Sequence, residues 1–332
     1  QPATVRPPGE AAAYSNYGAA LAGGVLASVT GESFDDAIAD LILDPAGMTG
    51  SSFSQPPPEP VATNHATGYA PGLVFSDGQF PYVGLRPAGS LSATADDMAR
   101  FLQLHLNDGV VDSERVLASE TVDMLHRQWA TVDDAMPGLT FGLLERYHGN
   151  VRTLWHNGST IAFHSDLVLV PERGLGLFVS FNGSGGGQAR GDVREGFLDA
   201  LVSDAGDTDG ADAGGSGVTP DGQPSRADEL GGTYRSLSVS ETGHDRLTTT
   251  VQTSTIRISV ADGGALVTES GGTTHRWIER DSLLFENAET GELLAFDERD
   301  GQVGYLTFGS NPATAYGKIG VVDRLDTHLA VV

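Results

Sequence analysis

The sequence predicts an α/β chain of the α+β type: an antiparallel sheet flanked by helices, followed by a small all-β antiparallel barrel. Three observations carry that reading. Helix signals come first, consecutive hairpins follow them and a closing helix comes last, the order of a sheet covered on its faces. Next, the run AGDTDGADAGGSGVTPDGQ over 205–223 has no apolar period and reads as a flexible acidic, Gly-rich linker. Beyond it, eight short runs start near Thr233, Leu247, Thr255, Ala265, Thr273, Ser282, Glu292 and Val303, with glycines in the breaks between them. Short strands at regular spacing with turn signals are the pattern of a closed antiparallel barrel. The organisation is a first domain over 1–204, the linker over 205–223, an eight-stranded barrel over 224–323 and a tail over 324–332.

Within the first domain, Asn16 to Val29 reads as a helix, with Leu21, Val25 and Val29 at i, i+4, i+8 and Gly31 as its stop. Gly23 and Gly24 each cost about 0.8–1 kcal/mol against Ala in a helix, so the pair predicts close approach of a neighbouring element. A second helix starts at Ser33, where Ser33-Phe34-Asp35-Asp36 resembles a capping box with Asp in place of Glu. From Thr49 to Pro87 the chain is irregular and broken by prolines, the mark of a functional or surface-wrapping segment. A third helix starts at Thr94, carries Asp96 and Asp97 in its first turn and ends at Asn107-Asp108-Gly109; His105 sits at the edge of its apolar face. A fourth covers Ser119 to Arg127. Strands follow over Thr140–Tyr147, Val151–His156, His164–Val170 and Leu175–Phe181, and a helix over Asp192–Val202 closes the domain.

The 332 residues exceed the ~250–300 at which a single core stops growing. Nineteen basic residues, of which only Lys318 is a lysine, stand against 44 acidic ones, a net charge of −25 that repels phosphate backbones and argues against nucleic acid as a partner. The same bias suits a protein working in concentrated salt, where the Debye length shrinks to ~3 Å at 1 M; the plainer reading is an acidic surface that keeps the chain soluble. With no cysteine there is neither disulfide nor thiol nucleophile. The chain opens on Gln1 with no charged-then-apolar leader, so either a leader has been removed or the chain is a fragment. The histidines are scattered without metal-ligand spacing and Gly183-Ser184-Gly185-Gly186-Gly187 lacks the ending of a phosphate loop, so no metal or cofactor is expected.

Two places carry chemistry. Tyr14-Ser15-Asn16 directly precedes a small-sided helix, where the positive end of the dipole favours a phenolate base; a structural tyrosine beside an N-cap is the alternative. His156-Asn157-Gly158-Ser159 ends a strand, where Gly admits a ligand to the backbone and a following N–H can serve an oxyanion; a solvated strand-end His is the alternative.

In that order, with PAGSLSATADDM between them, the two become a specific pattern. Together with the stretches PPGEAAAYSNYGAALAGGVLASVTGESFDDAI, LILDPAGMTGSSF and WHNGSTIAFHSDLVLVPERGLGLFVSFNG, they make the chain resemble, from Arg6 to Asp204, the serine β-lactamase and penicillin-binding-protein superfamily, in its class C and esterase-like branch. The resemblance implies a β-lactamase-like α+β domain that performs acyl transfer through a seryl ester. It implies that Tyr14 shuttles protons and that Asn16 hydrogen-bonds the substrate amide. His156 and Gly158 match the third motif, where many relatives have Lys-Thr-Gly, and Ser159 offers its backbone N–H as half the oxyanion hole. Asn157 departs from the family pattern. A larger departure is that no Ser-x-x-Lys exists here, because Ala315 lies three residues before Lys318. The expectation is therefore the C-terminal portion of a longer serine hydrolase, inactive by itself and exposing core surface; a non-catalytic binding or assembly protein is the alternative. Leu230-Gly231-Gly232-Thr233-Tyr234 resembles the opening strand of the lipocalin-like barrel some relatives append. The tail RLDTHLAVV turns apolar, the position from which some long relatives continue into membrane helices. The partner expected is a small-molecule or peptide substrate (lactam, D-amino-acid peptide or ester), outside the cell or at its surface, with oligomeric state left open.

Overall fold

A computed structural model of the chain describes residues 4–75, 80, 82–202, 223–239 and 255–320. The chain divides into two compact units: Ser15–Gln128 with Thr140–Asp204, and Gln1–Tyr14 with Trp129–Leu139 and Ala205–Val332.

The first unit opens with α1 (Asn16–Thr30), where the Ser15 hydroxyl accepts the Gly18 N–H at 3.2 Å and Gly31 ends the helix at φ 76°. Its buried residue is Gly23, where a Cβ would stand 2.6 Å from Pro87 Cγ, so the expected close approach is real at Gly23 and absent at Gly24, which faces open space. The apolar stripe Leu21, Val25, Val29 does not face the core: all three side chains are exposed. Packing follows the smallest residues of this helix, and its i, i+4 apolar row lies on the other side. The next helix, α2 (Phe34–Ile38), runs into a π-helical turn at Ala39–Leu43. Ser33 Oγ accepts the Asp36 N–H, and the return contact is from the Ser33 hydroxyl to the Asp36 carboxylate at 2.6 Å.

A short hairpin, β1 (Gly68–Ala70) and β2 (Leu73–Phe75), interrupts the irregular segment. Helix α3 (Ala95–Leu106) follows, capped by Thr94. Asp97 in its first turn accepts from Gly50 N–H at 2.8 Å and Ser51 Oγ at 2.7 Å, fastening the irregular segment to the helix. After β3 (Val110–Val111), β4 (Glu114–Arg115) and α4 (Ser119–His126) come the four sheet strands: β5 (Leu144–His148), β6 (Val151–Ser159), β7 (His164–Val170) and β8 (Leu175–Phe181). They pair antiparallel in sequence order. Helix α5 (Gly186–Leu201) starts earlier than the periodicity indicates, because Gly186 lies where a Cβ would meet Phe181 and His164; the Gly-rich run is partly the first turn of the helix. One face of the sheet buries Leu154, Leu167 and Leu169 with Met98 and Leu102 of α3. The other buries Val151, Val168 and Val170 with Leu198 of α5. Alternation along β6 and β7 sends successive side chains to these two cores.

In the second unit, α6 (Ala227–Leu230) leads into β9 (Gly232–Ser236). Strands β10 (Thr255–Val260), β11 (Leu266–Ser270), β12 (Thr273–Asp281), β13 (Leu284–Asn287), β14 (Leu293–Arg299), β15 (Gln302–Phe308) and β16 (Ala315–Ile319) complete a closed antiparallel barrel in which β9 joins β10 and β16. Seven of the eight expected strand starts fall on or beside these strands. The start near Leu247 lies outside the described residues, as do the linker over 205–222 and the tail. The eighth strand is instead β16. Tyr234, Trp277, Phe285, Leu294 and Phe296 fill the interior, with Trp277 Nε1 donating to Thr268 Oγ1 at 2.9 Å. Two further segments belong to this unit: 129–139, whose Met136 packs on Leu284 and Ala295, and the chain up to Tyr14.

Candidate active site

Strand β6 ends in a tight connection. Thr160 and Phe163 close it, Thr160 N–H donating to the Phe163 carbonyl at 2.8 Å and Phe163 N–H to Thr160 Oγ1 at 3.1 Å. The pairing register is thereby fixed: Asn157 opposite Asp166, Gly158 opposite Ser165, Ser159 opposite His164. Of the five expected site residues, His156, Gly158 and Ser159 come together on this strand. His156 is half-buried, and burial lowers its pKa, against a smaller upward pull from a backbone hydrogen bond at Asn157. At pH 7 the imidazole is neutral, so it offers one N–H and no fixed charge where a lysine would offer a cation.

The cation at this end of the strand is Arg190 of α5. Its Nη1 donates to the Gly158 carbonyl, to Ser159 Oγ at 3.1 Å and to the Ser165 carbonyl at 3.1 Å. Ser159 Oγ also lies 3.0 Å from His164 Nδ1. One turn further along α5, Arg194 pairs with the buried Asp166 at 2.6 Å and stacks 5.2 Å over the Trp155 ring. Burial pushes the Asp166 carboxyl up, and the two arginines oppose that shift. Arg194 thus fixes the rotation of α5 against the sheet, and Arg190, four residues earlier, reaches the strand end.

The irregular segment packs around the same turn. A Cβ on Gly68 would meet Ala162 and Phe163 at 2.9 Å, Tyr69 N–H donates to the Asn182 carbonyl at 2.8 Å, and Asn182 Nδ2 donates to the Thr67 carbonyl at 2.8 Å. His65 stacks edge-on against Phe163 at 5.6 Å and lies 5.2 Å from Phe80. The strand end therefore has an aromatic border beside its Arg–Ser–His cluster.

The other two expected residues belong to other elements. Asn16 is exposed and opens α1, which packs on α2. Tyr14 is carried by the barrel-containing unit, with its N–H bonded to the Ala313 carbonyl at 3.0 Å. Sequence reasoning missed His164 and Arg190. The hairpin signal contains the first, since a four-residue connection places position 164 opposite 159. No local signal contains Arg190, whose place depends on how α5 packs. Among the described residues no group of three or more His, Asp or Glu is arranged to hold a metal ion. Guanidinium, hydroxyl and imidazole at a strand end form a donor set for a substrate carboxylate beside backbone groups that can align an extended substrate.

A family model described as Beta-lactamase matches residues 1–201. Penicillin-binding protein 4 of Amycolatopsis lactamdurans is 28% identical over 190 residues, covering 53% of this chain and 49% of that protein, so the chain spans about half the length of this curated relative. Among solved structures, SurE crystallised with D-Leu superposes with a TM-score of 0.58 at 20% identity, covering 95% of this chain and 70% of SurE. The octameric penicillin-binding protein homologue from Pyrococcus abyssi gives 0.50 at 18% identity, covering 95% of this chain and 67% of that one. At these identities the two structures establish likeness of fold.

Proposed function

Because the chain belongs to the β-lactamase family, we propose that it supplies the tyrosine and strand-edge parts of a serine hydrolase site that acts on amide, ester or lactam carbonyls. The carrying observation is the end of β6, where Gly158 and Ser159 present backbone to a substrate and Arg190 with Ser159 Oγ and His164 presents donors to its carboxylate. In this reading a serine hydroxyl adds to the carbonyl, and its proton passes by way of the Tyr14 side-chain oxygen to the leaving amine or alkoxide. Water then splits the acyl ester. Asn16 holds the substrate amide, Ser159 N–H receives the oxyanion, and His156 donates its N–H to the substrate as a neutral ring. The only lysine is Lys318 and the chain spans half of its curated relative, so the nucleophile and its lysine are assigned to sequence outside these 332 residues. The barrel is lipocalin-like, and the protein works outside the cell or at its surface in concentrated salt, where its charge of −25 is screened.

Fluorescent penicillin tests this. A protein carrying an upstream Ser-x-x-Lys is labelled, the 332-residue chain is not, and Tyr14→Phe slows acylation roughly 10²–10⁴-fold. A longer natural protein that lacks Ser-x-x-Lys and takes no label instead establishes the binding or assembly reading.

A further inference from the structure

We propose that Asn182 is an N-glycan acceptor, whose side-chain amide takes an oligosaccharide from a lipid-linked sugar donor. The inference rests on the reading that places the protein outside the cell. Two stretches of the chain read Asn-Gly-Ser: Asn157-Gly158-Ser159 and Asn182-Gly183-Ser184. An asparagine followed two residues later by serine or threonine, with no proline between, is the acceptor pattern for N-linked sugar. The two lie in different surroundings. Asn157 is inside β6, held in register opposite Asp166, and is half-buried. Asn182 lies just past β8, which ends at Phe181, and both Asn182 and Ser184 are exposed. A glycosyl transferase has to draw the acceptor segment into its own site. A surface connection permits that, and a strand paired into a sheet opposes it.

The bonds around Asn182 present its amide nitrogen without consuming it. The Asn182 carbonyl accepts the Tyr69 N–H at 2.8 Å, and Nδ2 donates to the Thr67 carbonyl at 2.8 Å. A carboxamide nitrogen carries two hydrogens. One is given to Thr67, and the transfer replaces the other. Gly186 N–H returns to the Gly183 carbonyl at 2.9 Å, so the chain turns at Ser184 as it enters α5. In the transfer, Nδ2 bonds C1 of the first sugar while the C1–O bond to the lipid phosphate breaks. The electron pair leaves with the phosphate and the amide proton goes to solvent, so no oxidant or reductant is needed. The sugar then stands beside the β1–β2 hairpin, which Tyr69 N–H ties to Asn182 and whose Tyr69, Leu73 and Val74 side chains are exposed. A bulky hydrophilic group there hydrates an apolar patch of the surface.

The experiment uses the natural protein from its own host, collected separately from the cell exterior and the cell interior. Its peptides are sequenced by mass spectrometry with electron-transfer fragmentation, which locates an added mass on one residue. The peptide bearing Asn182 carries a sugar mass on that asparagine, and the peptide bearing Asn157 carries none. Ser184→Ala leaves Asn182 with both of its bonds, so folding is preserved, yet it loses the whole added mass; Ser184→Thr keeps it. A bare Asn182 in protein recovered outside the cell overturns the glycan site and leaves the extracellular reading standing. A bare Asn182 in protein found only inside the cell overturns both, so the two failures are distinguishable. Sugar that persists in Asn182→Gln, on the Ser184 hydroxyl, overturns the assignment of the acceptor atom. Equal occupancy of Asn157 overturns selection by exposure.

Discussion

Nδ1 of His105 lies 3.0 Å from Nε2 of His126, with the two rings 12° from parallel. One ring must donate and the other accept, so the contact itself holds a single proton. The surroundings disfavour a charge on either ring. His105, expected at the edge of α3, is buried against Phe101, and burial with the neighbouring His126 pushes its pKa down to about 4. Burial first, then the Arg152 guanidinium, lowers His126, while Asp123 and Asp108 pull it up. Arg152 itself donates to the His126 carbonyl and pairs with the buried Glu145 carboxylate.

Acid should therefore loosen the packing of α3 against α4. Unfolded imidazoles protonate near 6.5 while these resist, so the unfolded state binds more protons as pH falls. Stability is full above about pH 6.5 and declines toward about pH 4, with His105 alone responsible for about 3 kcal/mol over that window. Urea midpoints between pH 7.5 and 4 measure the decline, and His105→Leu should flatten it. An unchanged slope in that variant removes the pair as the cause.

Gly23 and Gly24 are adjacent in α1 and should respond with opposite signs. A methyl at Gly23 would stand 2.6 Å from Pro87 Cγ and 3.0 Å from Phe34, and Gly23→Ala should cost about 1–3 kcal/mol. Gly24→Ala meets nothing within 4 Å and should gain about 0.8–1 kcal/mol from helix propensity. Thermal midpoints of the two variants decide it; equal shifts would mean that α1 does not pack through Gly23.

What the residues disclose locally, they disclose well. Ser33 and Thr94 announce their caps, Gly23 its close neighbour, and the order of helices and hairpins the sheet with its covering helices. Strand β16 escaped because Ala315-Tyr316-Gly317-Lys318-Ile319 breaks the apolar alternation: Gly317 is there to pass beneath Leu237 and Tyr305. That His156, Gly158 and Ser159 share one strand is legible because His156-Asn157-Gly158-Ser159 is a single run of sequence. Arg190 is not, since its place depends on tertiary packing between residues far apart in the chain, for which no spacing rule exists. The exposed Leu21, Val25, Val29 row mimics a core stripe because periodicity records where apolar residues lie and says nothing of what covers them.

Arg194 and Asp166 form a pair whose carboxylate is fully buried. Removing only the cation strands that charge, so Arg194→Met should cost about 3–5 kcal/mol. Replacing both, as Arg194→Met with Asp166→Leu, should recover most of the loss, because well-packed apolar groups substitute for buried ion pairs at little cost. Urea unfolding of the two single variants and the double variant gives the coupling. Additive losses would mean that the two residues act independently.

Arg190 tests the specificity assigned to the strand end. Its Nη1 touches Gly158, Ser159 and Ser165, so Arg190→Met should both loosen the strand and remove the cation that the proposed reading offers to a substrate carboxylate. These effects separate by substrate. Loosening slows every ester alike, whereas loss of a charge-assisted hydrogen bond worth about 1.5–3 kcal/mol penalises only a substrate that ends in a free carboxylate. In a protein that also carries the upstream Ser-x-x-Lys, turnover of a peptide ester with a free C-terminus should drop about 10–100-fold further than turnover of its C-terminal amide. Arg190→Lys should fall between, since a single ammonium keeps the charge but cannot span three acceptors while still reaching a ligand. Equal losses on acid and amide would leave Arg190 as a strand anchor alone and move carboxylate recognition to His156.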